Sequence, residues 1–183
     1  AGLTQATLSL RAKRPSGRLA SASYAGTGGR EGVVEIKGNV KPYAAGSMLN
    51  RPATLLDAAK GLYSVHGYGG VNALLKVREG YRELNQTRVA QASEAALLAA
   101  VVPATEIHTY LAGGLFRIGF QPVADITCDF EGDNTGGYSA RPGSLIQRVL
   151  TASGWTGAVD TASLAAIDTA LPYDAFIFDG AGA

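Results

Sequence analysis

Short apolar runs bounded by Gly, Pro or Asn recur through the first two thirds of the chain. That is the pattern of β-strands joined by tight turns. It predicts strands near residues 5–12, 18–24, 32–38, 61–66, 71–78, 86–90, 107–112, 115–120 and 123–131. One interruption is helical: Ser93-Glu-Ala-Ala-Leu-Leu-Ala-Ala-Val-Val102 has a Ser cap, an acidic first turn and Pro103 as a stop. After Asp133 the period changes. Leu145, Ile146, Val149 and Leu150 fall at helical spacing between Ser139 and Ser153, with Gly154 as the C-terminal stop. A further helix is expected from Thr161 to Ala170, closed by Pro172, with Leu164, Ile167 and Leu171 on one stripe. Ala175-Phe-Ile-Phe178 then reads as a buried strand. The expected fold class is α+β, a β-rich body of short, mostly antiparallel strands followed by a C-terminal helix-helix-strand unit. The division is drawn at 1–122 for the body, with one short helix near 93–102, and 123–183 for the smaller α/β unit.

Glycine-rich segments refine this picture without adding chemistry. Gly26-Thr-Gly28 begins like a dinucleotide fingerprint, but the next glycines fall out of register and Val33-Val34-Glu35-Ile36-Lys37 reads as a strand, which gives no phosphate cradle at a helix N-terminus. Lys37-Gly-Asn-Val-Lys41-Pro42 has the form of a strand leaving a sheet through a turn, with Pro42 forcing Lys41 to be extended. Gly46 and Gly119 are expected in turns where a side chain would strain the backbone or crowd a neighbour, and Pro42 and Pro122 are the matching structural prolines.

The 183 residues, 46% hydrophobic and 17% charged, are enough to bury a real core. Cys128 stands alone, so no internal disulfide is possible and a small buried strand residue is the expected role. No apolar run approaches the ~18 residues of a membrane span, and residues 1–20 lack the order of a signal peptide. The abrupt start on Ala6-Thr-Leu-Ser-Leu-Arg11, without an initiator Met, suggests part of a longer protein. Charge is sorted along the chain. Residues 1–51 carry eight basic and two acidic side chains, net +6, while residues 121–183 carry two basic and eight acidic ones, net −6. With two opposite poles of equal size, contact between neighbouring subunits is at least as good an explanation as nucleic-acid binding. Arg11, Arg14 and Arg18 on one pole and Asp160, Asp168 and Asp174 on the other are the candidate subunit contacts.

Candidate chemistry is sparse. His66 and His108 have no Cys or carboxylate at ligand spacing, and Ser47, Ser64 and Ser144 lie in no Gly-x-Ser-x-Gly elbow. Asp129, Glu131 and Asp133 would share one face of a strand and, with Asp125, could offer hard oxygen ligands to Ca²⁺ or Mg²⁺, but the segment lacks a calcium-loop pattern. Tyr24, Tyr43, Tyr63, Tyr68, Tyr81 and Tyr110 read as half-buried packing rather than a base-stacking platform. The expectation is no catalytic residue, no metal and no cofactor.

Three motifs in order carry a resemblance. Lys37-Gly-x-x-Lys41-Pro42-x-x-x-Gly46 comes first, then Gly61-Leu-Tyr63-x-Val65-His66-Gly67. The third is Gly113-Gly-x-Phe116-Arg117-Ile-Gly119-x-x-Pro122-x-x-Asp125-Ile-Thr-x-Asp129-x-x-Gly132-Asp133. Together they resemble tail-tip or baseplate hub-type structural proteins of long-tailed bacteriophages and prophages, over about Leu8 to Gly180. The chain departs from that pattern at Gly67-Tyr-Gly-Gly70, where an acidic-Gly-Pro turn is usual, and at Arg78-Glu-Gly-Tyr81, where Tyr-Asp-x-Gly is usual. The resemblance implies a non-enzymatic virion component in the tail, made in the host cytoplasm, in which β domains build a ring or plug with other tail proteins at the tail end and later segments support fibres. The charge poles point to head-to-tail contact between copies in a ring, most simply a trimer, and no nucleic acid and no membrane insertion are expected. Two other classes stay open: a cell-wall or polysaccharide hydrolase domain, for which Glu106, Asp125, Asp129 and Glu131 are the first candidates, and a carbohydrate-binding receptor module built around Trp155.

Overall fold

Residues 22–152 and 154–179 are described by a computed structural model. The strand expected at 5–12, and Arg11, Arg14 and Arg18, lie outside the described residues. The fold is α+β, with two five-stranded sheets, mostly antiparallel, and a C-terminal helix-helix-strand unit.

The first sheet has the order β10-β1-β9-β4-β5, built from Phe176–Asp179, Tyr43–Pro52, Ile126–Asp133, Val71–Glu79 and Arg82–Glu83. The second has the order β2-β3-β8-β7-β6, built from Thr54–Asp57, Leu62–Ser64, Leu115–Ile118, Glu106–Tyr110 and Thr87–Ala90. One core is shared between them. Met48, Leu74, Val77, Ile126, Cys128 and Phe130 of the first sheet cluster with Tyr63, Ile107, Phe116 and Ile118 of the second. Strand alternation explains the selection: on β9, residues 126, 128 and 130 enter the core while 127, 129, 131 and 133 take the other face. Cys128 is fully buried there, and burial pushes its thiol up, which leaves it an inert core residue.

The only parallel ladder among the described strands joins β6 to β7, and the short helix α1 (Glu94–Ala99) makes the crossover that such a ladder requires. Ser93 caps it as expected, accepting from the Ala96 N–H at 3.1 Å. Its far end is closed from outside: the Arg117 guanidinium on β8 donates to the carbonyls of Leu97, Leu98 and Ala100. A cation there also answers the negative end of the helix dipole.

Three sequence expectations are corrected. Residues 32–38 are not a strand. Turns of 3-10 helix at Gly29–Glu31 and Val34–Ile36 replace it, because Gly26, Gly28, Gly29, Gly32 and Gly38 all adopt positive φ and coil the segment instead of extending it. Residues 43–52, which contain no β-branched side chain, form the longest strand of the first sheet. The boundary at 122/123 divides strands that share a sheet, since β9 lies between β1 and β4 and bonds to both.

Gly46 is therefore a strand residue and not a turn residue. At this point β1 changes partners: Tyr43 to Gly46 pair with β10, and Ser47 onward pairs with β9. The change needs φ +88° at Gly46, and a Cβ placed there would collide with the Ala175 carbonyl. Gly119, in the bend after β8, has an ordinary φ, but a Cβ would strike the carbonyls of Val102 and Pro103. Pro42 is buried directly ahead of β1, where its carbonyl accepts from the Gly67 N–H at 2.8 Å, and Pro122 lies half-buried in the β8–β9 loop.

The C-terminal unit packs over this region. Helix α2 (Pro142–Ala152) begins with Pro at its first position and sets Leu145 against Tyr43 and Ala45. Helix α3 (Thr161–Ala170) crosses it closely at Gly143, where a Cβ would meet the Leu164 carbonyl. Leu164 and Ile167 are half-buried, but Leu171, expected on the same stripe, is exposed.

Gly46→Val is expected to lower stability by at least about 2 kcal/mol, since it combines strained φ with a backbone collision, or roughly 4–8 °C in Tm for a chain of this size. Gly119→Val should act in the same direction through crowding alone. Thermal unfolding of both variants checks this, and unchanged melting of both would show that neither approach is as tight as described.

Candidate functional site

A concave feature lies where α2 faces the β-body. Tyr43 at the start of β1, His66 and Tyr68 after β3, and Asp133 at the end of β9 form its floor and one wall. The loop 135–139 and Ser144, Gln147, Arg148 and Thr151 of α2 complete a cleft of about 630 Å³.

Three rings meet on the body side. Tyr43 contacts His66 at 5.4 Å and Tyr68 at 6.0 Å between centroids, both edge-on, and His66 lies 6.1 Å from Tyr68. His66 is 1% exposed, and its Nδ1 accepts from the Ala44 N–H at 3.1 Å. That bond fixes the neutral tautomer with the proton on Nε2. Burial depresses the imidazole to about 4, against a partial counter-effect from the Asp133 charge. Tyr43 is pushed up to about 12, by burial first and then by the Asp133 charge.

Asp133 is saturated. Its Oδ1 accepts from the Thr135 N–H at 2.9 Å, and its Oδ2 accepts from Arg148 Nη1 at 3.0 Å and the Tyr43 hydroxyl at 3.3 Å. Burial alone would raise this carboxyl, but the Thr135 bonds and the positive Arg148 outweigh it and leave it lowered. Arg148 also donates to the carbonyls of Thr135 and Gly137, so one side chain of α2 holds the end of β9 and the loop that follows it.

The carboxylate row on β9 does share one face, as alternation predicts, yet its members are engaged one by one. Asp129 takes a bidentate pair from Arg78, at 2.6 Å to Nη1, and the Asn50 N–H at 2.7 Å; these bonds, Arg78 first, lower its carboxyl. Glu131 is bonded by the Asn72 amide. Asp133 belongs to Arg148. No cluster of His, Cys, Asp or Glu suited to a metal occurs among the described residues.

The other expected positions separate. Glu106 lies on β7 in the second sheet, where it meets His108 Nε2 at 2.8 Å, far in topology from Asp129 and Glu131 on β9. Asp125 is exposed in the β8–β9 loop. Ser64 donates to the His66 carbonyl rather than to its ring, and Ser144 donates to Asp168. Trp155, 58% exposed beyond α2, does not line the cleft. Two of the aspartates proposed as subunit contacts have work within the chain. Asp160 caps α3 by accepting from the Ala162 and Ser163 N–H groups, and Asp168 reaches from α3 to accept the Gly143 N–H at 2.6 Å, capping α2 across the helix pair. Asp174 is exposed.

Sequence reasoning placed Tyr43, His66, Tyr68 and Asp133 individually but not together, and Arg148 carried no signal beyond its position on an amphipathic helix. No family model, curated protein or solved structure matches the chain.

The depressed His66 predicts a stability slope. Between about pH 6.5 and pH 4 the unfolded chain takes up a proton at this position and the folded one does not. Stability should therefore fall by roughly 3 kcal/mol as pH drops through that window, and His66→Gln should remove most of the fall. Urea unfolding from pH 7 to pH 4 measures both proteins; parallel curves would show that His66 is not held neutral.

Proposed function

We propose that this chain is a structural, non-enzymatic component of the tail tip or baseplate hub of a long-tailed bacteriophage or prophage. It assembles with itself as a ring, most simply a trimer, and with other tail proteins, and supports fibres or host attachment from within the virion tail. The supporting observation is where the motif residues stand. Lys41 pairs with Glu31, Pro42 receives Gly67, Gly46 switches β1 between partners, and Tyr63 stacks on Phe116 at 5.2 Å. His66 receives the Ala44 N–H, Arg117 closes α1, Asp129 holds Arg78 and Asp133 holds Arg148. The positions that carry the resemblance therefore build the scaffold, which is the role expected of them in a structural protein.

The outer ladders suit assembly. Strands β2, β6 and β10 each pair on one side only among the described strands, and Leu55 on β2 and Phe176 on β10 are exposed. Charge complementarity between the two poles would orient copies, with Asp174 the best placed of the acidic residues because Asp160 and Asp168 already serve helix ends. Apolar edge contacts would supply the affinity, since exposed charge pairs are individually weak and screened by salt. A hydrolase reading is less well supported, because its carboxylates do not converge: Glu106 is on the second sheet, Asp125 is in an exposed loop, Asp129 is paired with Arg78 and Glu131 is bonded by Asn72.

Quantitative mass spectrometry of purified particles should find the chain in the virion at a multiple of three copies. Recovery from infected-cell lysate alone would sink the proposal. Purified protein should also show no cell-wall turnover, and Asp125→Asn with Glu131→Gln should change nothing; Asp129 is left intact there because it anchors Arg78.

A further inference from the structure

We propose that the cleft between the β-body and α2 binds a neutral saccharide, a hexose or N-acetylhexosamine unit with at least one neighbour. The site does not depend on the tail assignment, and it belongs to the isolated chain.

Charge narrows the ligand first. Arg148 and Asp133 are the only lining residues that carry full charge, and they are bonded to each other at 3.0 Å. Arg148 is further occupied by the carbonyls of Thr135 and Gly137, and Asp133 by Thr135 and Tyr43. The pair cancels, so the cleft has no uncompensated cation to select a phosphate or carboxylate and no uncompensated anion to select an amine. A neutral ligand is what remains.

The lining then selects among neutral ligands. The Gln147 amide and the Ser139 hydroxyl, which accepts from the Arg141 N–H, keep donors for a ligand, while the hydroxyls of Thr135 and Thr151, already bonded to Asp133 and to the Gln147 carbonyl, keep acceptor lone pairs, and that of Tyr138 is shared with Ser47. This matches a molecule whose rim is covered in hydroxyls, each both donor and acceptor. Tyr68 adds an aromatic wall. Its hydroxyl is anchored by accepting from the Ala22 N–H at 2.8 Å, and the residue remains 40% exposed at the cleft. An aromatic face carries negative quadrupole charge and attracts the polarised C–H groups of a pyranose ring. Below it, the buried neutral ring of His66, locked by Ala44, closes the floor. A volume of about 630 Å³ falls inside the range of roughly 300–1,000 Å³ usual for small organic ligands. It has room for more than one sugar ring.

Occupancy would also have a mechanical effect. The ligand would touch the body through Tyr68 and α2 through Gln147, and so would add to the Arg148 latch between the two.

The test is a titration of the full chain, followed by NMR and calorimetry, with maltotriose and chitotriose as neutral probes. Inorganic phosphate and sialyllactose serve as charged comparators. Saturable binding of at least one neutral trisaccharide at millimolar concentration or below is expected, with shifts at residues 135–139 and 144–151. Tyr68→Ala and Gln147→Ala should each weaken it at least tenfold; Gln147 is exposed on a helix, so its alanine variant keeps the fold, as an unchanged Tm would verify. The proposal fails if neither neutral probe binds, if both variants bind as well as the parent, or if phosphate or the sialylated probe displaces the neutral one. None of these failures bears on whether the chain is found in the particle.

Discussion

Strand β1 answers to two partners, and the rest of the molecule is arranged around that requirement. Its first half bonds to β10 and its second half to β9, and a backbone that serves both must turn sharply in between. Gly46 makes the turn at φ +88°. Close to this crossing, Gly132 on β9 lies so near the Ala44 carbonyl, 2.6 Å from where a Cβ would be, that a side chain there would push the strand away. The two glycines bring the end of β9, the start of β1 and the strand β10 into one junction. Because Tyr43 and Asp133 sit at that junction, the floor of the cleft is a consequence of how the strands cross.

Charge in this protein is used mainly to hold backbone in place. Arg117 closes α1, Arg148 gathers the loop after β9, and Arg88 on β6 donates to the carbonyls of Leu74 and Leu75 where β4 bulges, tying one sheet to the other. Arg78 with Asp129 stabilises the neighbouring irregularity in β1, since the same carboxylate takes the N–H of Asn50, which has φ +50°. Arginine suits these roles because its planar fork reaches several acceptors at once. Irregular positions in the ladders leave carbonyls and amides without strand partners, and buried groups of that kind cost free energy unless something bonds them. The sorted charges along the sequence therefore have a second meaning beyond any subunit contact.

Regular elements were legible where local pattern and final environment agree. The helices at 142–152 and 161–170, the Ser93 cap, and β3, β4, β6, β7 and β8 all follow from spacing and stop signals. Failures came where tertiary context overruled local preference. Val33-Val34-Glu35-Ile36 looks like a strand, but the glycines around it take positive φ and Val34 ends 67% exposed. No strand is expected at Tyr43-Ala-Ala-Gly-Ser-Met, where Gly46 points to a turn, yet two partners on its flanks make it a strand. The cleft was illegible for a related reason. Its residues come from positions 43, 66–68, 133–139 and 144–152, and no local signal reports that β1, β9 and α2 converge.

The attachment of α2 explains why the cleft exists as a cleft. Leu145 enters the small cluster with Tyr43 and Ala45, and that is the only fully buried large apolar side chain the helix contributes among the described residues. One leucine gives about 2 kcal/mol on burial, too little to seat a helix whose remaining face stays half-exposed. The deficit is met by polar contacts at two points: Asp168 of α3 fixes the first turn, and Arg148 ties the middle of the helix to β9. Neither contact fills space. A helix held at its first turn, by one leucine and by one long side chain leaves a gap beside the β-body, and residues of α2 around these anchors line it. Closing that gap with apolar packing would make a more stable protein with no cleft; the observed arrangement keeps α2 ordered while leaving polar groups and the Tyr68 ring open to solvent above the buried Tyr43 and His66.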